Sequence, residues 1–159
     1  MTGEETMNKD REMKKFLITS TTFALMISGV ALAGETPSAS GAEQYFVNLQ
    51  DGATVSSPVK VLFRLSKMGV APAGVEKENT GHHHVFLNRK PFGLSEDGKE
   101  ELEFNIPADE NHLHYGKGQT EAILDLKPGK HTIQLVLGDN NHVPHNPPVY
   151  SKYITINVE

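Results

Sequence analysis

The sequence predicts an all-β protein, an immunoglobulin-like antiparallel β-sandwich of about seven strands. Apolar and polar residues alternate with a period of two in several short segments, most clearly in residues 59–65, where Val59, Val61 and Phe63 share one face. Glycine and proline turns separate these segments, and no long segment shows the 3.6-residue period of an amphipathic helix. Many short strands without helices favour two packed sheets.

The chain is expected to have three parts. Residues 1–33 are predicted to be an N-terminal extension and a cleaved signal peptide, because the basic Met13-Lys14-Lys15 precedes an apolar stretch and the small residues of Ala31-Leu32-Ala33. Residues 34–44, rich in Gly, Ser and Ala, are predicted to be a flexible leader. Residues 45–159 form one β-sandwich domain, and we expect the protein to be periplasmic or secreted.

The predicted strands follow from the alternation and the flanking turns. In chain order they are residues 45–49, 59–65, 82–87, 102–106, 120–126, 131–137 and 150–158. The turn Lys127-Pro128-Gly129-Lys130 joins two of them into a hairpin. His131 follows this turn, where many β-sandwiches have a tyrosine that bonds to the upstream backbone, so we interpret it as structural.

The composition excludes several classes of protein. The 15 Lys and Arg and 20 Asp and Glu give a net charge of −5, and the basic residues do not cluster. We therefore expect no binding to nucleic acid and, after signal cleavage, none to a membrane. The chain has no cysteine, which excludes disulfides, thiolate metal sites and cysteine nucleophiles. A metal ion would have to be bound by His, carboxylate or Met.

Seven of the eight histidines lie in three short segments, His82-His83-His84, His112-Leu113-His114 and His142-Val143-Pro144-His145. In a sandwich of alternating strands, the loops 66–81, 107–119 and 138–148 share one pole, so the fold should bring these segments together. Neutral imidazole is the commonest metal ligand, and a His-x-His on an extended segment directs both rings to one face. We therefore predict a metal site made by His82, His84, His112, His114, His142 and His145.

Copper is the expected ion, with zinc or nickel as alternatives, because copper stands highest in the affinity order of divalent ions for nitrogen ligands. Met68 would add a thioether if the ion were Cu(I). Asp109, Glu110 and Asp139 are near enough in sequence to orient a ligating ring or to bind directly. His83 is interpreted as structural, because its parity in the strand directs it into the core.

The predicted function is to hold a metal ion for sequestration or delivery, in exchange with a periplasmic partner protein. Two other functions use the same residues. An enzyme would have an open three-histidine centre that activates water or handles oxygen species, with Glu121 or Asp139 as proton acceptor. A metal-free interaction module would bind a protein or a cell-wall component through its loops. The sequence favours a binding protein over an enzyme.

Five short motifs are spread over the predicted domain. They are Thr80-Gly81-His82-His83-His84, Ile106-Pro107-Ala108-Asp109-Glu110, residues 114–121, Pro128-Gly129-Lys130-His131-Thr132 and residues 137–145. Together they resemble the bacterial family catalogued as domain of unknown function 4399, over nearly all of residues 45–158. The resemblance implies a small exported domain and carries no activity with it.

Overall fold

A computed structural model describes residues 34–95, 98 and 100–159. The extension and signal peptide predicted for residues 1–33 lie outside these residues and stay a prediction. No helix in the described part of the chain is long and apolar enough to span a membrane. The elements are β1 (Glu43–Phe46), β2 (Thr54–Val55), β3 (Val59–Ser66), β4 (Gly69–Val70), β5 (Thr80–Leu87), α1 (Glu100–Glu103), β6 (His112–Tyr115), β7 (Glu121–Leu124), β8 (Gly129–Gly138) and β9 (Ile154–Val158).

The strands form two sheets. One has three strands in the order β1-β3-β7, and the other has six, in the order β2-β9-β8-β5-β4 with β6 also paired to β5. Two short pairs, β2 with β9 and β4 with β5, are parallel, and the other pairs are antiparallel. The prediction of an all-β sandwich is confirmed, with nine strands in the described residues where about seven were expected.

The main hydrophobic core lies between the two sheets. Val59, Val61 and Phe63 of β3 are buried in it, as their period of two predicts. Ile133 and Leu135 of β8 contribute from the six-stranded sheet and are fully buried. Each such side chain stabilises the fold by about 1.5–3 kcal/mol relative to exposure. Because this core fixes which face of each strand points inward, it also fixes which face points outward.

Strand β5 is buried on both of its faces. Val85 and Leu87 pack in the main core, whereas Phe86 packs in a second cluster with Phe92 and Ile106 on the outer face of the six-stranded sheet. Phe92 and Ile106 come from the segment between β5 and β6. The outer face at β5 is therefore covered by loops and not by a third sheet.

The prediction of a strand at residues 102–106 is wrong. Residues Glu100–Glu103 form the short helix α1, and the Phe104 N–H donates to the Glu100 carbonyl at 2.9 Å. Acidic side chains in the first turn stabilise a helix N-terminus. Phe104 is 61% exposed, so its alternation with Leu102 and Ile106 does not mark a buried strand face.

The prediction of a loop over residues 107–119 is also wrong in part, because residues 112–115 form strand β6. This strand pairs antiparallel with the edge of β5 that faces away from β8. The pairing satisfies backbone groups that an uncovered edge would leave open. The consequence for the histidines of β6 is that strand register, and not a loop conformation, positions them.

The flexibility predicted for residues 34–44 stays a prediction, and two residues of this segment hydrogen-bond to the β8–β9 loop. Ser38 N donates to Asn146 O at 3.1 Å, and Asn146 N donates to Thr36 O at 2.8 Å. The first strand begins at Glu43, two residues before the predicted start of the domain. Near the start of β8, the His131 Nε2–H donates to the Lys127 carbonyl at 2.8 Å. This hydrogen bond agrees with the interpretation of His131 as a structural residue at the corner of the sandwich.

Candidate metal centre

Three of the predicted ligands lie on the outer face of the six-stranded sheet. His82 and His84 occupy alternate positions of β5, so their rings lie on the same face. In the register of β5 with β6, His84 is directly opposite His114, whose ring therefore lies on that face too. The site is thus built mainly on strands, whereas the sequence predicted it in the loops at one pole.

The fourth histidine, His142, comes from the loop between β8 and β9. Its φ is 67°, in the left-handed region that non-glycine residues rarely adopt. Asp139 holds this turn, because its Oδ1 accepts the N–H groups of Asn141 and Val143 at 2.8 and 2.9 Å. The His142 N–H donates to the Asp139 carbonyl at 3.0 Å. The loop therefore folds back and places the ring of His142 beside that of His82.

The rings of His82, His84, His114 and His142 together form the four-histidine cluster. One nitrogen from each ring lies within 4.8 Å of the other three. His82 Nε2 and His142 Nδ1 are 3.1 Å apart. Imidazole nitrogens bind a metal ion such as zinc at about 2.0–2.1 Å, so two donors on one ion are at most about 4.2 Å apart. The four-histidine cluster could hold a metal ion after a small contraction.

His84 is the ring in the cluster whose hydrogen bonding is least satisfied. It is fully buried, and neither of its nitrogens has a hydrogen-bond partner among the described residues. A buried polar group without a partner costs about 1–3 kcal/mol, and such groups are rare in folded proteins. A metal ion would use the lone pair of one of these nitrogens.

Burial lowers the pKa of three of the cluster rings. It is the largest cause that lowers the pKa of His82 to about 4, and the nearby rings of His142 and His114 lower it further. Burial, followed by the neighbouring rings, lowers the pKa of His84 to about 2, and burial also lowers the pKa of His114. Near pH 7 these imidazoles therefore keep the free lone pair that a metal ion needs.

Two glycines, Gly138 and Gly116, leave the space that the rings of His84 and His114 occupy. The sequence alone did not identify either glycine as part of the site. A Cβ on Gly138 would lie 2.7 Å from His84 Cε1, and a Cβ on Gly116 would lie 2.2 Å from His114 Nε2. Neither glycine has a positive φ, so the requirement is for space and not for an unusual backbone conformation. The available signal was the nearness of each glycine to a histidine segment.

His112 lies on the same face of the sheet but outside the four-histidine cluster. It is opposite Phe86 in the strand register, and its ring packs edge-on against Phe86 with 4.8 Å between centroids. Its Nδ1–H donates to Asp109 Oδ1 at 2.8 Å, and the Arg89 guanidinium donates to its Nε2. Asp109 thus orients a ring outside the cluster, and Glu110 is exposed.

Three other predicted contributors, His145, Met68 and Glu121, make no hydrogen bond to a cluster ring among the described residues. His145 is fully buried, and its Nε2–H donates to the Thr80 carbonyl at 3.1 Å. Met68 lies between β3 and β4 and makes no hydrogen bond to a cluster ring among the described residues. Glu121 forms an ion pair with Lys60 on the three-stranded sheet, with 3.1 Å between the charged atoms.

His83 lies on the opposite face of β5 and packs in the core. Its ring centroid is 5.1 Å from that of Phe63, and Gln44 Nε2 donates to its Nδ1 at 2.6 Å. Burial lowers the pKa of His83 to about 4. These contacts support its structural interpretation.

The fold and the cluster define a class of protein, an all-β sandwich that carries four histidines able to hold a metal ion on one sheet face. The family model described as Domain of unknown function (DUF4399) matches residues 61–159, which include the whole four-histidine cluster, and the chain belongs to this family. The resemblance to this family, which the five motifs indicated, is therefore confirmed. No curated protein and no solved structure matches the chain.

Proposed function

We propose that the protein is a periplasmic or secreted metal-binding protein that holds one transition-metal ion at the four-histidine cluster for sequestration or delivery. The observation that carries this proposal is the convergence of four imidazoles within 4.8 Å, one of which has two buried nitrogens without partners among the described residues. As a hydrogen-bonded polar network, such an arrangement would be poorly satisfied. As a ligand set, it is well suited to a nitrogen-binding metal ion.

Copper(II) is the ion that we propose, ahead of zinc and nickel. The four-histidine cluster contains nitrogen donors only, and copper(II) binds such donors more tightly than the other divalent first-row ions. Met68 makes no hydrogen bond to a cluster ring among the described residues, so we propose Cu(II) and not Cu(I) as the ion that is held. A geometry close to tetrahedral would favour zinc, so the experiments titrate both ions and compare them directly.

A role in holding and passing on an ion follows from the different exposure of the rings. His82 and His84 are buried, whereas His114 is exposed and His142 is partly exposed. An ion would reach the buried pair past the outer two rings, and it would leave by the same route. The proposed location rests on the signal peptide predicted from the sequence, and the exchange partner would be a periplasmic protein.

Replacing His114 by alanine should raise the Kd for Cu²⁺ by more than the roughly 10- to 100-fold that is typical for loss of an outer-shell partner. His114 is exposed, so the variant should keep its fold. The measurement is metal content by mass spectrometry, followed by calorimetric titration with Cu²⁺, Zn²⁺ and Ni²⁺. The protein should be untagged and purified without immobilised-metal chromatography.

His112→Ala is the matched control, because it removes the same ring from the same strand and the same face. Its Kd should stay within about threefold of the wild-type value, well short of the 10- to 100-fold typical even of outer-shell partners. Wild-type protein that contains no metal and binds none of the three ions more tightly than micromolar would refute the proposal. An equal loss in both variants would show that the strand, and not the four-histidine cluster, binds the ion.

Replacing Gly116 by alanine should weaken metal binding about tenfold or more without unfolding the protein. The added methyl group must displace the His114 ring, which is free to move toward solvent. Gly69→Ala is the control, because its added Cβ would meet only an ordinary contact, 3.4 Å from Thr80 Cγ2. Calorimetric Kd values that are equal in the two variants would contradict the role assigned to Gly116.

A further inference from the structure

Asp139 is a buried carboxylate beside the four-histidine cluster, and only 5% of its surface is exposed. Its Oδ2 accepts the Thr36 hydroxyl at 2.6 Å, and its Oδ1 accepts the two N–H groups of Asn141 and Val143. All of these donors are neutral. They satisfy the hydrogen bonding of the carboxylate but leave its negative charge uncompensated.

No Lys, Arg or His among the described residues forms an ion pair with Asp139. Burying an ionised carboxylate without an opposite charge is costly, and buried charges in proteins are normally paired or bind metals. The hydrogen bonds explain how the loop is held, but a neutral asparagine would hold it as well. The negative charge itself needs another explanation.

The position of Asp139 points to the four-histidine cluster. It directly follows Gly138, against which the His84 ring packs, and it begins the turn that carries His142. Burial and the neighbouring rings lower the pKa of His82, and the charge of Asp139 acts in the opposite direction on the same ring. The carboxylate is therefore close enough to interact electrostatically with charge in the cluster.

We propose that Asp139 is the buried counter-charge of a divalent ion held by the four-histidine cluster. The inference rests on the proposed function. Four neutral imidazoles leave the full double charge of the ion in a buried site, where a nearby carboxylate interacts more strongly than it would in water. Asp139 is not a ligand in this proposal. It favours the ion through its charge, while its hydrogen bonds position the loop of His142.

Asp139→Asn separates the charge from the hydrogen bonds. The Asn Oδ1 can accept the same two N–H groups, and its Nδ2 can donate to Thr36 Oγ1. We expect the metal-free variant to fold with unchanged or higher stability, because an uncompensated buried charge is gone. The Kd for Cu²⁺ and Zn²⁺ should rise about 10- to 100-fold, as for other outer-shell partners of metal ligands.

Glu76→Gln is the matched control. Glu76 borders the same surface cleft as Asp139 but is exposed, so the same loss of one charge should be screened by solvent. Its Kd for either ion should stay within about twofold of the wild-type value, because a screened charge contributes little. A second variant, Thr36→Val, removes one hydrogen bond of the carboxylate and keeps the charge, and its Kd should also change little.

Titration with Ag⁺ tests whether the effect is electrostatic. A counter-charge stabilises a monovalent ion about half as much as a divalent one, so Asp139→Asn should weaken Ag⁺ binding much less than Cu²⁺ or Zn²⁺ binding. A displaced turn would instead weaken the binding of Cu²⁺ and Zn²⁺ in Thr36→Val as well, because that variant loses a hydrogen bond of the turn and keeps the charge. Calorimetry on the wild type and the three variants at one ionic strength provides the comparison.

Several outcomes would overturn the inference. They are an Asp139→Asn protein that binds Cu²⁺ like the wild type, one that does not fold without metal, an equal loss for Ag⁺ and Cu²⁺, and an equal loss in Thr36→Val. Failure of the proposed function itself has a different signature. In that case the wild-type protein would bind none of the ions.

Discussion

Metal-free protein with His84 replaced by leucine should be more stable than metal-free wild type, by about 1–3 kcal/mol, and it should no longer bind metal at the four-histidine cluster. Both nitrogens of His84 are fully buried without partners in the described structure, so the ring costs the metal-free fold free energy. Leucine has a similar volume and no polar atom to satisfy, and it gains from burial. Function and stability therefore oppose each other at this residue.

The measurement is urea unfolding of chelator-treated protein, repeated with saturating Cu²⁺. The midpoint for His84→Leu should rise without a change in slope, which would indicate altered stability and not an altered unfolded state. Added metal should stabilise the wild type by about 2.7 kcal/mol at a concentration about 100 times Kd. It should leave the variant unchanged.

The matched control is His83→Leu, the same substitution at the adjacent residue on the opposite face. His83 accepts a hydrogen bond from Gln44, so its loss leaves a buried amide unpaired and should destabilise the protein. The His83→Leu protein should still bind metal. If His84→Leu lost as much stability as His83→Leu, His84 would be a structural ring and the cluster would not need an ion.

Local periodicity predicted the half of the site that lies on β5. The period of two places His82 and His84 on one face and His83 on the other, as the structure shows. The same reasoning placed alternate residues of β3 in the core. Both inferences need only one strand and its burial, so they do not depend on which strands become neighbours.

The sequence placed both His112 and His114 in the site, but it could not predict which of them joins the cluster, because this depends on a pairing between distant segments. Residues 112–115 are a short stretch in a segment with glycine and proline, a composition that predicts a loop, and they form a strand by pairing with the edge of β5. Once the register is known, His114 lies opposite His84 and His112 lies opposite Phe86, two residues further along. One histidine of this segment therefore joins the cluster, and the other does not.

The loop between β8 and β9 shows the same limit. Its two histidines look equivalent in the sequence, but the turn held by Asp139 directs His142 over the sheet, while His145 bonds to the backbone of Thr80. The left-handed conformation of His142 and the space left by Gly138 are properties of the folded loop. The sequence could predict that these histidines would approach β5, but not which ring would reach the cluster.

The metal-free protein should lose stability steeply as the pH falls from about 6.5 toward about 5. Burial holds the folded pKa of His82 and His83 near 4 and that of His84 near 2, whereas in the unfolded chain each is near 6.5. Below about pH 6.5 the unfolded chain therefore binds protons that the folded chain does not. Each ring then costs up to about 1.4 kcal/mol per pH unit, until the pH passes its folded pKa.

Urea unfolding of chelator-treated protein between about pH 7 and pH 5 tests this, because most carboxylates remain ionised in that range. With His84 replaced by leucine, one ring with a lowered pKa is gone, so the slope of stability against pH should be smaller by about the contribution of one ring. Saturating Cu²⁺ should raise the stability of the wild type throughout this range, since the folded rings stay neutral and able to bind. Wild-type stability that is flat over this range without metal would show that the folded rings take up protons as readily as the unfolded ones, and burial would then not be what keeps them neutral.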